Sequence, residues 1–497
     1  VDADAAFDVI VVGGGITGVT AAYLLQRSGR RVALLERHRC LAGDTGHTSA
    51  HLSYVTDKPI TALVKDIGED HARAVWDAGR AATLMIGDIV RKERIECGFA
   101  WLPGYLHEPA LDEADGAEED RLRAEADLAT ALGFEAVYIE TVPFIERAGV
   151  RFSEQARIHP VRYLEALLAL VTASGGLVFE DSGVEEVTGD GPLDVRVNGR
   201  TLTCVDLVIG THNPIVGRDS LLGATWLQTR LTLDSTYVVG GRVQKGRVPD
   251  ALFWDTASPY RYLRLDPQAT HDLVVFGGQD HKTGQVEDTD ACYRRLETEL
   301  QRLLPGVDVT HRWSGQVIAT PDGLPFIGET APHQFAATGF GGNGLTFGTV
   351  AAIMACDGLT ATPNPWQRLF DIGRTGIGGG AWDYVRQNAD YPYYLVRDRL
   401  PGISRLPLES LGPGQAMVTV AGGTRVAAWR DESGELVLRS AVCPHMGCLV
   451  RWNTAESTWD CPCHGSRFRP TGEVLSGPAE RPLEPVTLEI RHATLSR

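Results

Sequence analysis

The chain is 497 residues long, 43% apolar, and carries a formal net charge of −17. That length allows two to four domains with large cores, and the acidic balance argues against nucleic acid or an anionic membrane as partner. Of nine cysteines, Cys40, Cys97, Cys204, Cys292 and Cys356 are scattered without ligand spacing, which excludes a secreted disulfide scaffold. No basic segment followed by an apolar core opens the sequence, so the expected location is the cytoplasm.

Phe7 to Val12 has the length and composition of a buried parallel strand. Gly13-Gly14-Gly15-Ile16-Thr17-Gly18 follows, then an apolar helix through Leu25 that Gly29 stops, then a second strand, Val32 to Leu35, ending at Glu36. This is G-x-G-x-x-G in a βαβ context with an acid closing the second strand. Gly13 permits the tight turn, Gly15 lets backbone approach a pyrophosphate, and Gly18 lets helix and strand pack closely. The helix N-terminus favours phosphate charge, and Glu36 suits a ribose diol.

The motif alone does not choose between FAD and NAD. Ala42-Gly-Asp-Thr45-Gly-His47-Thr48-Ser49-Ala50-His51 is a loop of small and hydroxylic residues. Arg157-Ile-His-Pro-Val-Arg-Tyr-Leu reads as a helix start, and Val205 to Gly210 as an apolar strand running into Thr211-His212-Asn213. Trp313 leads to Thr320-Pro-Asp-Gly-Leu-Pro-Phe-Ile-Gly328, and then Gly339-Phe-Gly341-Gly342-Asn343-Gly344-Leu345-Thr346 opens a helix. In this joint order over residues 5–375, the segments resemble the D-amino-acid oxidase-like flavoprotein superfamily. The resemblance implies FAD, with Gly13, Gly15, Ile16, Thr17, Gly18, Glu36, Arg37, Thr45, Thr48, Ser49, Val184 and Gly341 to Thr346 holding it. The uncharged run Phe335 to Cys356 is long enough to span a bilayer, but its five glycines and its Asn fit a glycine loop feeding a buried helix, so no membrane span is expected.

The middle of the chain reads as a substrate domain. Ala117 to Leu132 is a charged, solvated helix. Arg230 to Val239 and Leu273 to Phe276 read as strands, and Gly277 to Gly284 as the loop after the second. Arg261, Arg264, His281 and Lys282 are candidates to grip a substrate carboxylate, and His51 is a candidate catalytic residue.

Gly373 to Gly380 reads as a linker, Trp382 to Asn388 as a short helix, and Pro392 to Pro401 as a strap into the last domain. Short strands follow at Ala416–Val420, Thr424–Trp429, Leu436–Ser440 and Val486–Ile490, with hairpin-turn chemistry at Asp431-Glu-Ser-Gly434. Between them lie Cys443-Pro-His445-Met-Gly-Cys448 and Cys461-Pro-Cys463-His464-Gly-Ser466. Two thiolates and two imidazoles, Cys443, His445, Cys461 and His464, resemble the ligand set of a Rieske [2Fe–2S] centre. A Cys₂His₂ zinc ribbon is the alternative, and it leaves Cys448 and Cys463 without a role. In high-potential Rieske proteins, cysteines matching Cys448 and Cys463 form a disulfide, and a Ser matching Ser466 donates to a cluster sulfide. Phe468 stands where those proteins carry a Tyr donor, so a potential below theirs is expected.

Together these imply an α/β FAD-binding Rossmann-type domain with an interleaved α+β substrate domain, plus a C-terminal all-β Rieske domain. The expected boundaries are 1–84, 148–220 and 308–375 for FAD, 85–147 and 221–307 for substrate, 376–402 for the linker and 403–497 for the Rieske domain. The domain order resembles bacterial FAD-dependent oxidoreductases fused to a Rieske domain. Their flavin loop reads T-G-H-T-T-A-K, and His51 stands at the Lys. The implied activity is oxidation of a small amine or N-alkyl amino-acid-like substrate, with electrons passing singly from FAD to the cluster and on to a one-electron acceptor protein (or arriving from a donor). Two alternatives are a Rieske-type oxygenase with iron on Asp44, His47 and His51, and an electron-transfer reductase. The reductase would need a second G-x-G-x-x-G after a strand, and the sequence has none.

Overall fold

The first apolar run forms the strand Ala6–Val12, and the helix Ile16–Arg27 and the strand Val32–Leu35 follow it. The second strand is fully buried and the first nearly so, which is why both read as continuous apolar runs rather than alternations. The computed structural model describes residues 6–111, 116–213, 227, 230–374, 393–394, 397 and 407–487. The expected helix at 382–388 lies outside them, as do most of the linker and strap. Contacts divide the chain into two units. The first is Val1–Leu231, Ser235–Asp280 and Cys292–Tyr384, and the second is Thr232–Asp234, His281–Ala291 and Val385–Arg497.

In the first unit, parallel strands run in the order Leu177–Phe179, Val32–Leu35, Ala6–Val12, Arg200–Ile209 and Gln334–Thr338, with Phe326–Ala331 antiparallel at the edge. Val12 pairs with both Leu35 and Ile209, so three strand ends are level and Gly13, Glu36 and Gly210 emerge side by side. Ligands of such sheets bind outside these carboxyl ends. In the uncharged run 335–356 the glycines feed a buried helix, as expected. The run's first residues belong to the strand Gln334–Thr338, and only after the glycines does the buried helix Gly344–Leu359 begin.

A second sheet orders Asp308–Ala319, Thr232–Val243, Asp272–Lys282, Tyr262–Pro267, Leu252–Asp255, Ala100–His107, Gly149–Arg157 and His51–Leu52. The expected loop at Gly277 is instead strand, which continues to Lys282. A Cβ on Gly277 would collide with the Tyr262 ring, so this glycine serves close cross-strand approach rather than a turn. Behind this sheet Trp76, from the helix Glu69–Glu93, packs edge-on to Phe134 at 5.1 Å and Phe152 at 5.8 Å. Aromatic pairs of this geometry add roughly 0.5–1.5 kcal/mol beyond the area they bury.

The second unit contains the antiparallel strands Ala416–Ala421, Thr424–Arg430 and Leu436–Ser440, and a four-stranded sheet of Arg451–Asn453, Thr458–Asp460, Arg467–Phe468 and Val474–Ser476. The hairpin turn at Asp431 closes with Gly434 N donating to Asp431 O at 3.0 Å. The strand expected at Val486–Ile490 shows only its start, where Val486 N donates to Leu438 O at 3.1 Å, and residues from 488 on lie outside the description.

Candidate functional sites: a dinucleotide cradle and a paired ligand loop

In the first unit Gly13 has φ +105°, and a Cβ there would lie 2.6 Å from Gly210 O. A Cβ on Gly18 would strike Gly13 O, so both glycines are required by contact. The helix Ile16–Arg27 carries neither a side-chain cap nor an acid in its first turn, which leaves its N-terminus suited to an anion. Ile16 N donates to Thr45 Oγ1 at 3.2 Å, which brings the small-residue loop onto that terminus. Glu36 closes the cradle from the other side, accepting from Gly14 N at 2.7 Å and His38 N at 2.8 Å. Arg37 lies alongside Gly183, next to Val184 at the start of the strand Val184–Thr188.

The loop beyond Thr45 is held from several sides. Ala50 N donates to Thr48 Oγ1 at 3.2 Å, and Ser49 Oγ pairs with His51 Nδ1 at 3.1 Å. His51 is lodged against the edge of Tyr262, with its Nε2 3.3 Å from Leu263 O. Burial, reinforced by the Arg264 cation, pushes its pKa down to about 3, so its imidazole is neutral. At the far side, Asn343 Nδ2 donates to Val55 O at 3.0 Å and Thr346 Oγ1 to Ser53 O at 2.7 Å, tying the start of the helix Gly344–Leu359 to the Ser53–Val55 segment. Gly342 N donates to Asp57 Oδ2 at 2.7 Å, and Tyr260 OH to Asp57 Oδ1 at 3.3 Å. Desolvation raises the Asp57 pKa, against the Gly342 N–H and Tyr260 hydroxyl that lower it. Nothing in the sequence around Asp57 singles it out.

Two of the four candidate carboxylate ligands, Arg261 and Arg264, have partners within the chain. Arg261 is engaged by Glu299 through two hydrogen bonds, at 3.2 and 3.0 Å. Arg264 is buried and spends its guanidinium on Ser49 O and Leu265 O, so it braces the loop backbone. His281 and Lys282 fall in the second unit. Asp44, His47 and His51 do not converge. Asp44 takes His212 Nδ1 at 2.9 Å and Gln316 N at 2.8 Å, while His51 faces Ser49 and Leu263 O.

In the second unit, two loops repeat one backbone plan. Cys443 N donates to Cys448 O and Gly447 N to Cys443 O; Cys461 N donates to Ser466 O and Gly465 N to Cys461 O. Gly447 and Gly465 occupy the same place in each loop, at φ +78° and +71°. Within this shared frame His445 is second after its Cys and His464 third, while Cys463 is second, level with His445, and Cys448 is fifth, level with Ser466. Cys448 and Cys463 form a disulfide with Cα atoms 6.4 Å apart. Cys443 and Cys461 are 1% and 2% exposed. The rings of His445 and His464 stand 5.0 Å apart at 89° and reach partly to the surface. Ser466 is fully buried and accepts from Ala479 N at 3.0 Å. Among the described residues no three His, Cys, Asp or Glu side chains converge to hold a single metal ion. A Rieske cluster asks for two protein ligands on each of two irons, and the thiols and imidazoles here suit it by donor type.

No described helix is long and apolar enough to cross a membrane. The FAD dependent oxidoreductase (DAO) profile matches residues 8–357, and the Rieske [2Fe-2S] domain profile matches 405–487. Over 494 residues the chain is 31% identical to the Rieske 2Fe-2S iron-sulfur protein YhfW of Bacillus subtilis (strain 168), covering 98% of this chain and 94% of that one. It is 23% identical to the gamma-glutamylputrescine oxidoreductase of Escherichia coli (strain K12), covering 79% of this chain and 93% of that one. The fold matches the crystal structure of glycine oxidase from Geobacillus kaustophilus with a TM-score of 0.61 at 17% identity, over 74% of this chain and 99% of that one. The chain is therefore an oxidoreductase of the DAO family of FAD-dependent enzymes, extended by a C-terminal Rieske domain that binds a [2Fe–2S] cluster.

Proposed function

We propose that this enzyme oxidises a carbon–hydrogen bond next to nitrogen in a small amine or N-alkyl amino-acid-like molecule, and that the electrons leave singly through the Rieske domain to an external acceptor protein. The presence of both redox domains in one chain supports this most directly. The relative from Escherichia coli is named for an amine substrate. When bound, FAD supplies acceptance of an electron pair, and the cluster supplies carriage of one electron at a time.

Gly13, Gly15, Ile16, Thr17 and Gly18 would take the pyrophosphate at the uncapped helix N-terminus. Glu36, Arg37 and Val184 would lie at the nucleotide end. Thr45, Thr48 and Ser49, with the stretch from Gly341 to Thr346, would hold the isoalloxazine end, where backbone N–H groups at a helix start favour negative charge. Cys443, His445, Cys461 and His464 would hold the two irons. The partly exposed imidazole edges suit contact with a protein partner.

Anaerobic addition of candidate amines tests this, with flavin absorbance and low-temperature EPR read together. The expected result is bleaching by one amine class, followed by the signal of a reduced Rieske cluster. A flavin that is reduced while the cluster stays oxidised, or one that answers only to NADH, would overturn it.

A further inference from the structure

The eleven residues His281–Ala291 stand well before the Rieske domain in sequence, yet their contacts place them in the same unit. The segment opens with a turn in which Gln285 N donates to Lys282 O at 3.1 Å, and Thr283 N donates to Leu233 O at 3.0 Å. Gly284, at φ +79°, lies directly on the Cys461–Pro462 peptide. A Cβ there would sit 2.9 Å from both Cys461 C and Pro462 N. The next side chain follows through, with Gln285 Nε2 donating to Pro462 O at 3.0 Å. Farther along, the buried Thr289 accepts Ala455 N at 3.1 Å, in the turn that precedes the strand Thr458–Asp460 and the second ligand loop.

Pro462 sits between ligand candidate Cys461 and the disulfide-bonded Cys463. The loop's own backbone bonds run from Cys461 N and Gly465 N to Ser466 O and Cys461 O, and none of them uses the Pro462 carbonyl. That carbonyl takes its donor from Gln285. We propose that the segment His281–Ala291 is a built-in strap of the Rieske domain, in which Gly284 admits backbone against the second ligand loop and Gln285 is a positioning residue that fixes the Pro462 peptide and through it Cys461 and His464. This goes beyond the amine-oxidation proposal and does not depend on which substrate the flavin half uses. It also means that residues 405–487, the extent of the Rieske match, do not contain the whole support of the cluster.

The test uses the full-length protein with its cluster assembled. Gln285→Ala removes the donor. Gln285→Glu keeps the size but sets a carboxylate against the carbonyl. Glu287→Gln, two residues away on an exposed side chain, serves as control. The expected result is that both Gln285 variants shift the g values of the reduced cluster and lose iron to a chelator at least threefold faster than wild type, while Glu287→Gln matches wild type on both readouts. Gly284→Val is expected to exaggerate the effect; if that variant does not fold, the Gln285 pair decides. Wild-type g values and iron-loss rates in both Gln285 variants, or equal changes in the Glu287 control, would overturn the strap.

Discussion

Arg374 grips Asp322 through two hydrogen bonds, Nε to Oδ2 at 2.8 Å and Nη2 to Oδ1 at 2.9 Å, across 52 residues of chain. Both side chains are buried, and the guanidinium also donates to Pro325 O at 2.8 Å and Leu324 O at 2.7 Å. The Thr-Pro-Asp-Gly-Leu-Pro stretch is thus wrapped around one arginine. Burial alone would raise the Asp322 pKa; the Arg374 hydrogen bonds and charge outweigh it and hold the carboxyl below its usual range. Its stabilising contribution is therefore present above the ordinary carboxylate pKa and lost as pH falls through the depressed one. Arg374→Ala leaves a carboxylate buried without its cation, and such losses cost about 3–5 kcal/mol. Thermal release of flavin, followed by fluorescence, is expected well below the wild-type temperature, with Asp322→Asn falling between the two.

Acid should weaken the first unit in a second way. His107 is 5% exposed, and burial pushes its pKa down to about 4, although its Nδ1 lies 2.6 Å from Glu108 O. The unfolded chain binds a proton at this ring between pH values of about 6.5 and 4 and the folded chain does not, so stability falls as pH falls through that window. The slope from one such group reaches about 1.4 kcal/mol per pH unit. His107→Asn keeps a donor near the Nδ1 position and removes the titration. Its unfolding midpoint, measured from pH 7 to pH 4.5, should decline less steeply than that of wild type. Parallel decline would show that His107 does not carry the effect.

How much of this was legible in the sequence follows from how far apart the partners lie. Glu36 and Gly14 are 22 residues apart within one βαβ unit, and the glycine spacing announced them. The Cys and His ligand candidates sit in two short loops of the same plan, so their residue types sufficed. Arg264 looked like a substrate ligand because a charge in a pocket-forming strand is locally indistinguishable from one. Its partner, Ser49 O, lies 215 residues away, and only the sheet brings them together. Gly277 looked like a turn for the same reason, since the ring that demands a glycine comes from the neighbouring strand. The strap was least legible, because Gln285 and Pro462 are 177 residues apart and no periodicity connects them.

The Cys448–Cys463 disulfide closes a loop over a sequence separation of 15 and joins the two ligand loops. In the chain-entropy account a closure of this size is worth about 3 kcal/mol. Replacing both cysteines with Ser should leave the flavin half yellow and its thermal release unchanged. The cluster, in contrast, should bleach faster in air and on warming. If the 450–600 nm absorbance persists as long in the double variant as in wild type, the bridge is not what retains the cluster.

Phe468 is fully buried, in the strand Arg467–Phe468 that follows the second ligand loop. Its ring offers no hydrogen-bond donor, whereas the second ligand loop carries the buried hydroxyl of Ser466. A donor directed at a cluster gains strength when the cluster takes up an electron, because negative charge grows on the sulfur atoms, so each added donor favours the reduced state. A neutral hydrogen bond is worth about 1 kcal/mol net, which for a one-electron couple corresponds to roughly 40 mV at 59 mV per tenfold. Phe468→Tyr should therefore raise the cluster midpoint potential by about that amount in an EPR-monitored redox titration. Ser466→Ala should lower it by a similar amount; because it also leaves the Ala479 N–H without its acceptor, its thermal unfolding is measured alongside. If both variants titrate at the wild-type potential, hydroxyl donors do not set the potential of this cluster.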